Sequence, residues 1–493
     1  MSEKNNNLTM KQFDNEFFSA IFIIAFVSFF ILVNLIAGFN LPVYLFTIPI
    51  AALISFFYPR GGIYAIVFLT FVFERFFTLQ PIMIGQMEYK FYPLDAVFIA
   101  MLLGIIFSFF GRGSTSSNHS GQKRSHLYKS FSSVDYYLIA FIGLVFINFF
   151  VSIFIYQSDF ALAFSGLKNY ALYSLFYFAV VILINKYKHA TRLFKFAFAG
   201  AAVIIFFIIA GIIMGHGIWS DYTPLSTEGV RLLAFTHGFY LTMAFLAAFI
   251  YLICKKSKHG MILFVLSAIW IIGIIGSMMR HLWLSLFISV SILVVYFFKR
   301  KKRMLAQIVI KYTLAAIAIA ALMVYSMSLF PKSDLSRAAF GAKTVVEKRA
   351  DSFLKYAKDE SFSWRNTVWS EAFKIYERNP LIGFGFGRKL YVETENYRDF
   401  VEARNIHNSL IALLVQSGLI TSIIFIIFIY KTFRQLIIKK EKNWIDIAVI
   451  IMFINYLIAS LFQPYLETNM LGIFFWIMLG LSRSNLRFNL RSF

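Results

Sequence analysis

His407 has more chemistry to offer than any other residue of this chain. It stands in RNIHNSLIALLVQSGLI, where a long hydrophilic stretch gives way to an apolar helix beginning near Ser409, with Asn408 or Ser409 in place to cap that helix. A helix start presents unpaired N–H groups and a partial positive charge, which suits an anion. A histidine there keeps a near-neutral or lowered pKa and is available as a proton acceptor. Arg404 lies one helical turn before it. Arg280 interrupts two apolar runs in IIGSMMRHLWLSL, where a guanidinium near hydrocarbon is costly without a partner. Arg231 lies in STEGVRLLAFTHG at the outer end of another run. Guanidinium groups bind phosphate oxygens bidentately and stay charged at any working pH. Three arginines with His407 at one membrane face would make an anion site with a base beside it. Equally, each arginine could anchor a helix at the headgroups or pair with a nearby Glu, and a lone loop histidine is more often structural than catalytic.

Other patterns narrow the chemistry by what they lack. No Asp-x-Asp motif occurs, and Glu393 and Glu395 form the only acid-x-acid pair expected outside. A divalent-metal diphosphate site of the nucleotide-sugar type is therefore unsupported, and arginines can neutralise a leaving group in its place. No cofactor is expected. Gly383, Gly385 and Gly387 in NPLIGFGFG superficially resemble a phosphate loop, but no Lys-Ser/Thr follows, and a Pro and Gly turn is the better account. The single cysteine, Cys254, excludes an intramolecular disulfide, and no CxxC pair is present.

The elements that would position these groups are transmembrane helices. Of 493 residues, 59% are hydrophobic and only 14% charged, against about 25% charged in soluble domains, so a water-soluble enzyme is excluded. A span needs about 20 apolar residues. By that measure roughly fourteen runs qualify, near 17–39, 41–57, 61–77, 94–110, 135–157, 167–184, 196–214, 235–254, 261–276, 282–298, 308–329, 409–430, 444–462 and 470–482. The runs are continuously apolar, as helices require and barrel strands do not. The fold class expected is an all-α polytopic bundle of about 12–14 transmembrane helices, with one long extracytoplasmic helical loop between the last spans.

Charge sets the orientation. Basic residues cluster in one set of connections, at Lys123 to Lys129, Lys186 to Lys195, Lys255 to Lys258, Lys299 to Arg303 and Lys431 to Lys442. Lys and Arg are retained on the cytoplasmic side, so both termini are expected inside. The net charge of +23 is then mostly an orientation signal, and no nucleic-acid partner is inferred. The division expected is a cytoplasmic tail at 1–16, a membrane bundle at 17–329, an extracytoplasmic catalytic loop at 330–408, C-terminal spans at 409–482 and a cytoplasmic tail at 483–493. The first apolar run is too long for a signal-peptide core and is read as a retained span. Gly111 to Ser133 reads as a flexible cytoplasmic loop. Within the outer loop, Leu335 to Lys358 and Trp364 to Arg378 have helical apolar periodicity, with Ser361 or Ser363 available to cap the second. Either helix could lie on the bilayer, cover a cavity or pack on the loop's own neighbours.

The order of GSMMRHLWLSL (Gly276 to Leu286), WRNTVWSEAFKIYERNPLIGFGFG (Trp364 to Gly387) and HNSLIALLVQSGLI (His407 to Ile420) resembles the O-antigen ligase and O-antigen polymerase superfamily, specifically over about residues 260 to 425. That resemblance implies a metal-independent glycosyltransferase of the bacterial inner or cytoplasmic membrane, working at its outer face. Its partners would be a polyprenyl-diphosphate-linked glycan donor, a glycan acceptor, membrane lipids and, as a candidate, a chain-length regulator protein. It carries His407 over as catalytic base, Arg280 and Arg231 as diphosphate-binding residues, and Arg404 as an additional candidate. If the acceptor is another lipid-linked repeat the enzyme is a polymerase, the favoured reading; if it is lipid A core or another acceptor, a ligase. A lipid-linked sugar flippase, a different class, would need ionisable residues lining a path through the spans, and most spans have none.

Overall fold

A computed structural model describes residues 2–73, 82–84, 87–89, 92–110, 132–214, 233–255, 260–328, 360–394, 397–439 and 441–484. The helices, in chain order, are α1 (Ser2–Ala37), α2 (Leu41–Phe57), α3 (Pro59–Phe73), α4 (Pro93–Phe110), α5 (Ser133–Phe150), α6 (Phe160–Leu167), α7 (Leu175–Leu183) and α8 (Tyr187–Met214). They continue with α9 (Phe235–Cys254), α10 (Gly260–Gly276), α11 (Arg280–Lys299), α12 (Arg303–Ser328), α13 (Glu360–Tyr376), α14 (Ser409–Ile438), α15 (Trp444–Ser460) and α16 (Asn469–Arg483). Wide π turns prolong α5 over Val151–Ile155 and join α6 to α7 over Lys168–Leu172. Among the described residues, seven helical stretches are long and apolar enough to cross a membrane, and six shorter apolar helices accompany them. The all-α polytopic bundle expected from composition is therefore the architecture found.

Some boundaries move. The run at 61–77 is helical from Pro59, and its residues 74–77 lie outside the described residues. The run at 167–184 begins earlier, at Phe160, because Asp159 caps the helix there by accepting from the Leu162 N–H at 2.9 Å. Residues 111–131 of the proposed cytoplasmic loop, and the whole of the Leu335 to Lys358 stretch, lie outside the described residues.

One end of the bundle collects the basic connections. Arg60 pairs with Glu16 and donates to the Leu183 carbonyl. Asp135 completes a capping box with Ser132, accepts from Tyr177 and faces Arg483 at 4.0 Å. Trp444 donates to the Tyr187 hydroxyl at 2.7 Å, Lys255 lies over the Tyr187 ring, and Lys439 pairs with Asp446. At the opposite end Asn469 at the start of α16 donates to Tyr92 before α4, and His237 near the start of α9 meets the Val72 carbonyl at the end of α3. Here the Lys168 ammonium, buried in a span, pairs with Asp95 at 3.0 Å and lies 4.0 Å above the Tyr92 ring. Tyr173 also donates to Asp95, so the buried charges are paired and hydrogen-bonded, as burial in hydrocarbon demands.

The segment before α14 is not wholly helical. It contains an antiparallel hairpin, β1 (Lys389–Thr394) on β2 (Tyr397–Glu402), with Leu390 opposite Val401. Alternation accounts for it: Leu390, Val392 and Val401 are buried while Tyr391 and Phe400 are exposed. On the buried side the hairpin and α13 form a separate small core with Val368, Ala372, Phe384, Ile406 and Val415. Of the three placements open to the Trp364 helix, it therefore packs on the loop's own neighbours. Ser361 and Ser363 lie within this helix, described over Glu360–Tyr376, so neither is its N-cap.

Candidate functional site

The local frame of His407 is set by a broken helix. α14 starts at Ser409 and departs from helical geometry at Gly418, with φ 79° and ψ 175°. Nine residues of half-helix precede a longer apolar section. The segment Pro380 to Gly385 fills the break: Phe384 N–H donates to the Val415 carbonyl, Gly385 N–H to that of Gln416, and Leu419 N–H to that of Pro380, at 2.9 to 3.0 Å. Backbone freed by the break is thus satisfied inside the protein, which irregular backbone at membrane depth requires. Gly383, Gly385 and Gly387 all have positive φ, which glycine adopts without a Cβ penalty. From α5, Asn148 donates to the Ile382 and Gln416 carbonyls, and the Ser152 hydroxyl accepts from the Phe386 N–H at 2.7 Å. The glycine-rich stretch is therefore a turn, as its sequence implied, and it splints α14.

At the N-terminal tip of the half-helix, Asn408 is the cap; its side chain accepts from the N–H groups of Leu410 and Ile411 at 3.0 Å each. Those two groups are therefore not open to an incoming anion, in contrast to the expectation drawn from the helix start alone. His407 sits just before the cap in the left-handed region at φ 57°, an uncommon conformation for a non-glycine residue. Its Nδ1 lies 2.9 Å from the Gln463 side-chain oxygen, and its ring meets Trp364 edge-to-face with centroids 5.1 Å apart. Trp369 donates to the Ile406 carbonyl at 2.8 Å and so ties α13 to the same turn. Burial, with the Arg365 guanidinium nearby, lowers the imidazole pKa to about 4 against a small opposing effect of Gln463. The ring is therefore neutral at ordinary pH, as a proton acceptor must be.

The connection between α15 and α16, residues 461–468, gathers the site. Gln463 holds His407. Tyr465 meets His281 Nε2 at 2.8 Å, and Phe462 stacks on the His281 ring. Glu467 is buried, accepting from Tyr170 and from Ser409, the first residue of α14. Gln463 and Tyr465 are two residues apart, so their Cα atoms are separated by at most about 7 Å. The start of α11, where Arg280 adjoins His281, and the turn carrying His407 are therefore docked on one short segment. Neither Gln463, Tyr465 nor Glu467 stood out in the sequence. The signal available was a polar FQPYLETN between two apolar runs.

The remaining candidates are placed as follows. Arg280 is the first residue of α11, half-buried. Arg404 directs Nε to Glu402 and an Nη to the Ser165 hydroxyl at 2.6 Å, bracing the turn against α6. Arg231 lies outside the described residues.

Burial pushes the Glu467 carboxyl up to about 7. A free Glu ionises near 4.5, so between these values the folded chain holds a proton the unfolded chain has lost, and stability falls as pH rises. His407 acts in the opposite sense: it resists protonation until about pH 4 while the unfolded ring takes it up near 6.5, so stability falls as pH drops. The two effects oppose each other over one window. Glu467→Gln is expected to unmask the histidine: melting in detergent should rise from pH 4.5 to 7 more steeply than in wild type, by at most about 3 kcal/mol in stability. Parallel curves for the two proteins would show that this carboxyl does not titrate there.

Against known proteins, the family model described as O-antigen ligase matches residues 262–426. No curated protein matches the chain. The matched span runs from α10 into α14 and contains Arg280, Trp364, the splinting turn and His407. It supports the resemblance read from those residues, an activity of the O-antigen ligase or polymerase glycosyltransferase type in general, and a multi-pass membrane protein.

Proposed function

We propose that this chain polymerises polyprenyl-diphosphate-linked oligosaccharide repeats of a surface polysaccharide at the extracytoplasmic face of the cytoplasmic membrane. The observation that carries this reading is the docking of the His407 turn and the Arg280 helix start on one connection, at the end of the bundle opposite the basic clusters. By the positive-inside rule that end faces outward, where lipid-linked repeats meet their acceptors. The donor's diphosphate rests against Arg280, with Arg231 and the remaining Nη of Arg404 as further contacts, and its prenyl tail stays among the helices. His407 takes the proton of the acceptor hydroxyl as that oxygen attacks the anomeric carbon. The bond from that carbon to the diphosphate breaks, the electron pair leaves with the diphosphate, and the configuration inverts. The arginines stabilise the charge that develops on the leaving group, in the role a metal ion plays elsewhere.

The family description favours a second reading, in which the same groups transfer the glycan to lipid A core or another acceptor as a ligase does. The lipid-linked repeat purified from a strain lacking the enzyme, supplied as both donor and acceptor to the pure protein, separates them. Chain growth supports the polymerase; donor consumption only after lipid A core is added supports the ligase. Arg280→Ala should lower kcat/KM for the donor by roughly 10- to 100-fold, the value of one charge-assisted hydrogen bond of about 1.5–3 kcal/mol. Arg280→Lys should recover only part, since an ammonium lacks the bidentate fork. Unchanged kinetics in both would remove Arg280 from the diphosphate site.

A further inference from the structure

The geometry points to Gln463 as the positioning residue for the base: its side-chain oxygen holds the Nδ1–H tautomer of His407 and leaves Nε2 as the nitrogen that takes the acceptor's proton. The inference rests on the general-base reading of His407 given above.

A neutral imidazole carries its proton on one nitrogen, and the partner of that nitrogen decides which one. The Gln463 oxygen, 2.9 Å from Nδ1, can only accept, so the proton lies between them and Nε2 keeps its lone pair. The indole of Trp364 packs against the same ring at 80°, with centroids 5.1 Å apart.

A positioning residue must itself be held, and Gln463 is held by its backbone. Its carbonyl accepts from the Tyr465 N–H at 2.9 Å, and the Ser409 hydroxyl, whose one proton is directed to Glu467, lies 3.3 Å from it. The Ser409 hydroxyl also accepts from the Leu466 N–H, while Glu467 ties Ser409 to Tyr170 on the neighbouring span. The Gln463 amide therefore meets the imidazole from a segment fixed on both sides, the support that a precise site needs. Among the described residues, the charged group that acts on the ring is Arg365, one residue from Trp364 on α13, with Glu467 reached through Ser409. A neutral amide orients the imidazole without adding a second carboxylate beside Glu467.

An amide turned by 180° would place its NH₂ against Nδ1 and move the ring proton to Nε2, abolishing the base. Substitution separates the two arrangements, because Glu has only acceptors and Leu has none. Neutral imidazole attacks a carbonyl of diethyl pyrocarbonate through a free lone pair, expelling ethyl carbonate, and is thereby carbethoxylated. Its reaction with His407, followed by peptide mass spectrometry across pH on the pure full-length protein, reports the ring with no substrate present. Gln463→Glu should move the half-point up by about one pH unit or more, as an adjacent carboxylate does. Gln463→Leu should move it down. In turnover of the lipid-linked repeat, Gln463→Leu should lose about tenfold or more in kcat with KM within about twofold, as loss of an orienting contact predicts. Gln463→Glu should keep most activity, with its acid limb displaced by the amount the chemical probe reads.

Profiles that stay at the wild-type position in both variants overturn the inference. So does a Gln463→Glu enzyme as inactive as Gln463→Leu, which is the outcome of the turned amide. A moved chemical profile with unchanged turnover in both variants also overturns a catalytic role for Gln463, and it places the fault in the general-base reading, since the contact itself would then be proven.

Discussion

His407→Asn is expected to lower glycan transfer by about 10² to 10⁴, the usual contribution of a positioned general base, while the lipid-linked precursor accumulates in the membrane. Asn is the informative replacement. The backbone at 407 has φ 57°, a region that Asn enters more readily than most residues, so strain at the turn stays close to wild type. An Ala variant would confound loss of the base with loss of that tolerance. Residual activity should remain, because the arginines would still hold the leaving group. The pH profile gives a second readout. In the free enzyme the imidazole is held at about 4, so the acid limb of wild-type kcat/KM should lie near that value and well below 6.5. A bound diphosphate favours the protonated ring, so the limb of kcat, which reports the complex, should lie higher. In His407→Asn both limbs should vanish from the residual rate. Retained acid limbs, or a normal rate from well-folded protein, would assign the base to another group.

What could be read in the sequence divides along physical lines. The spans were legible because hydrocarbon imposes a length and a composition that nothing else in a chain mimics. His407 and Arg280 were legible because each is a costly residue placed where an apolar run begins. The residues that make them a site were not. Gln463 is 56 positions from His407, and that pairing arises only when α14, α15 and the connection after α15 pack, which no local periodicity encodes. Glu467 reads in sequence as an ordinary loop acid; burial against Tyr170 and Ser409 gives it its distinctive proton affinity. The hairpin was masked by the expectation of helix, and its sequence does not announce it: exposed Tyr391 and Phe400 adjoin buried Leu390, Val392 and Val401, so apolar residues run together and the alternation shows only in burial. Arg404 read in sequence either as an anion-binding cation one turn from His407 or as the partner of a nearby Glu; it pairs with Glu402, while its contact with Ser165 depends on α6, more than two hundred residues away in sequence.

Gly418 tests the frame in the way that His407 tests the chemistry. In sequence it is one glycine in an apolar helix, a tolerated feature costing about 1 kcal/mol relative to Ala. On that basis Gly418→Ala should be neutral or stabilising. The structure demands the reverse. The combination of φ 79° and ψ 175° is one that only glycine adopts, and a Cβ there would lie 2.3 Å from the Leu381 carbonyl oxygen and 2.4 Å from the Ile382 carbonyl carbon. Both are backbone atoms, held in place by Asn148 and by the hydrogen bonds between Pro380 to Gly385 and α14, so neither can yield as a flexible side chain would. The substitution should cost more than about 4 kcal/mol, the range reserved for backbone and core failures of this kind, and little folded protein should be recovered from membranes. Gly143→Ala provides the control. It too lies within an apolar helix, α5, but its added Cβ would meet nothing within 4 Å, and it should behave as wild type in yield and melting. Asn148→Leu, which removes the donor to two carbonyls without inserting an atom into the break, should give folded protein of reduced stability, by about 1–3 kcal/mol for acceptors left without a donor. Its turnover should fall as well, because the half-helix that the break defines carries His407 at its tip. Normal yield and activity from Gly418→Ala would mean that α14 does not need the splint, and that the position of His407 is set by the connection carrying Gln463 alone.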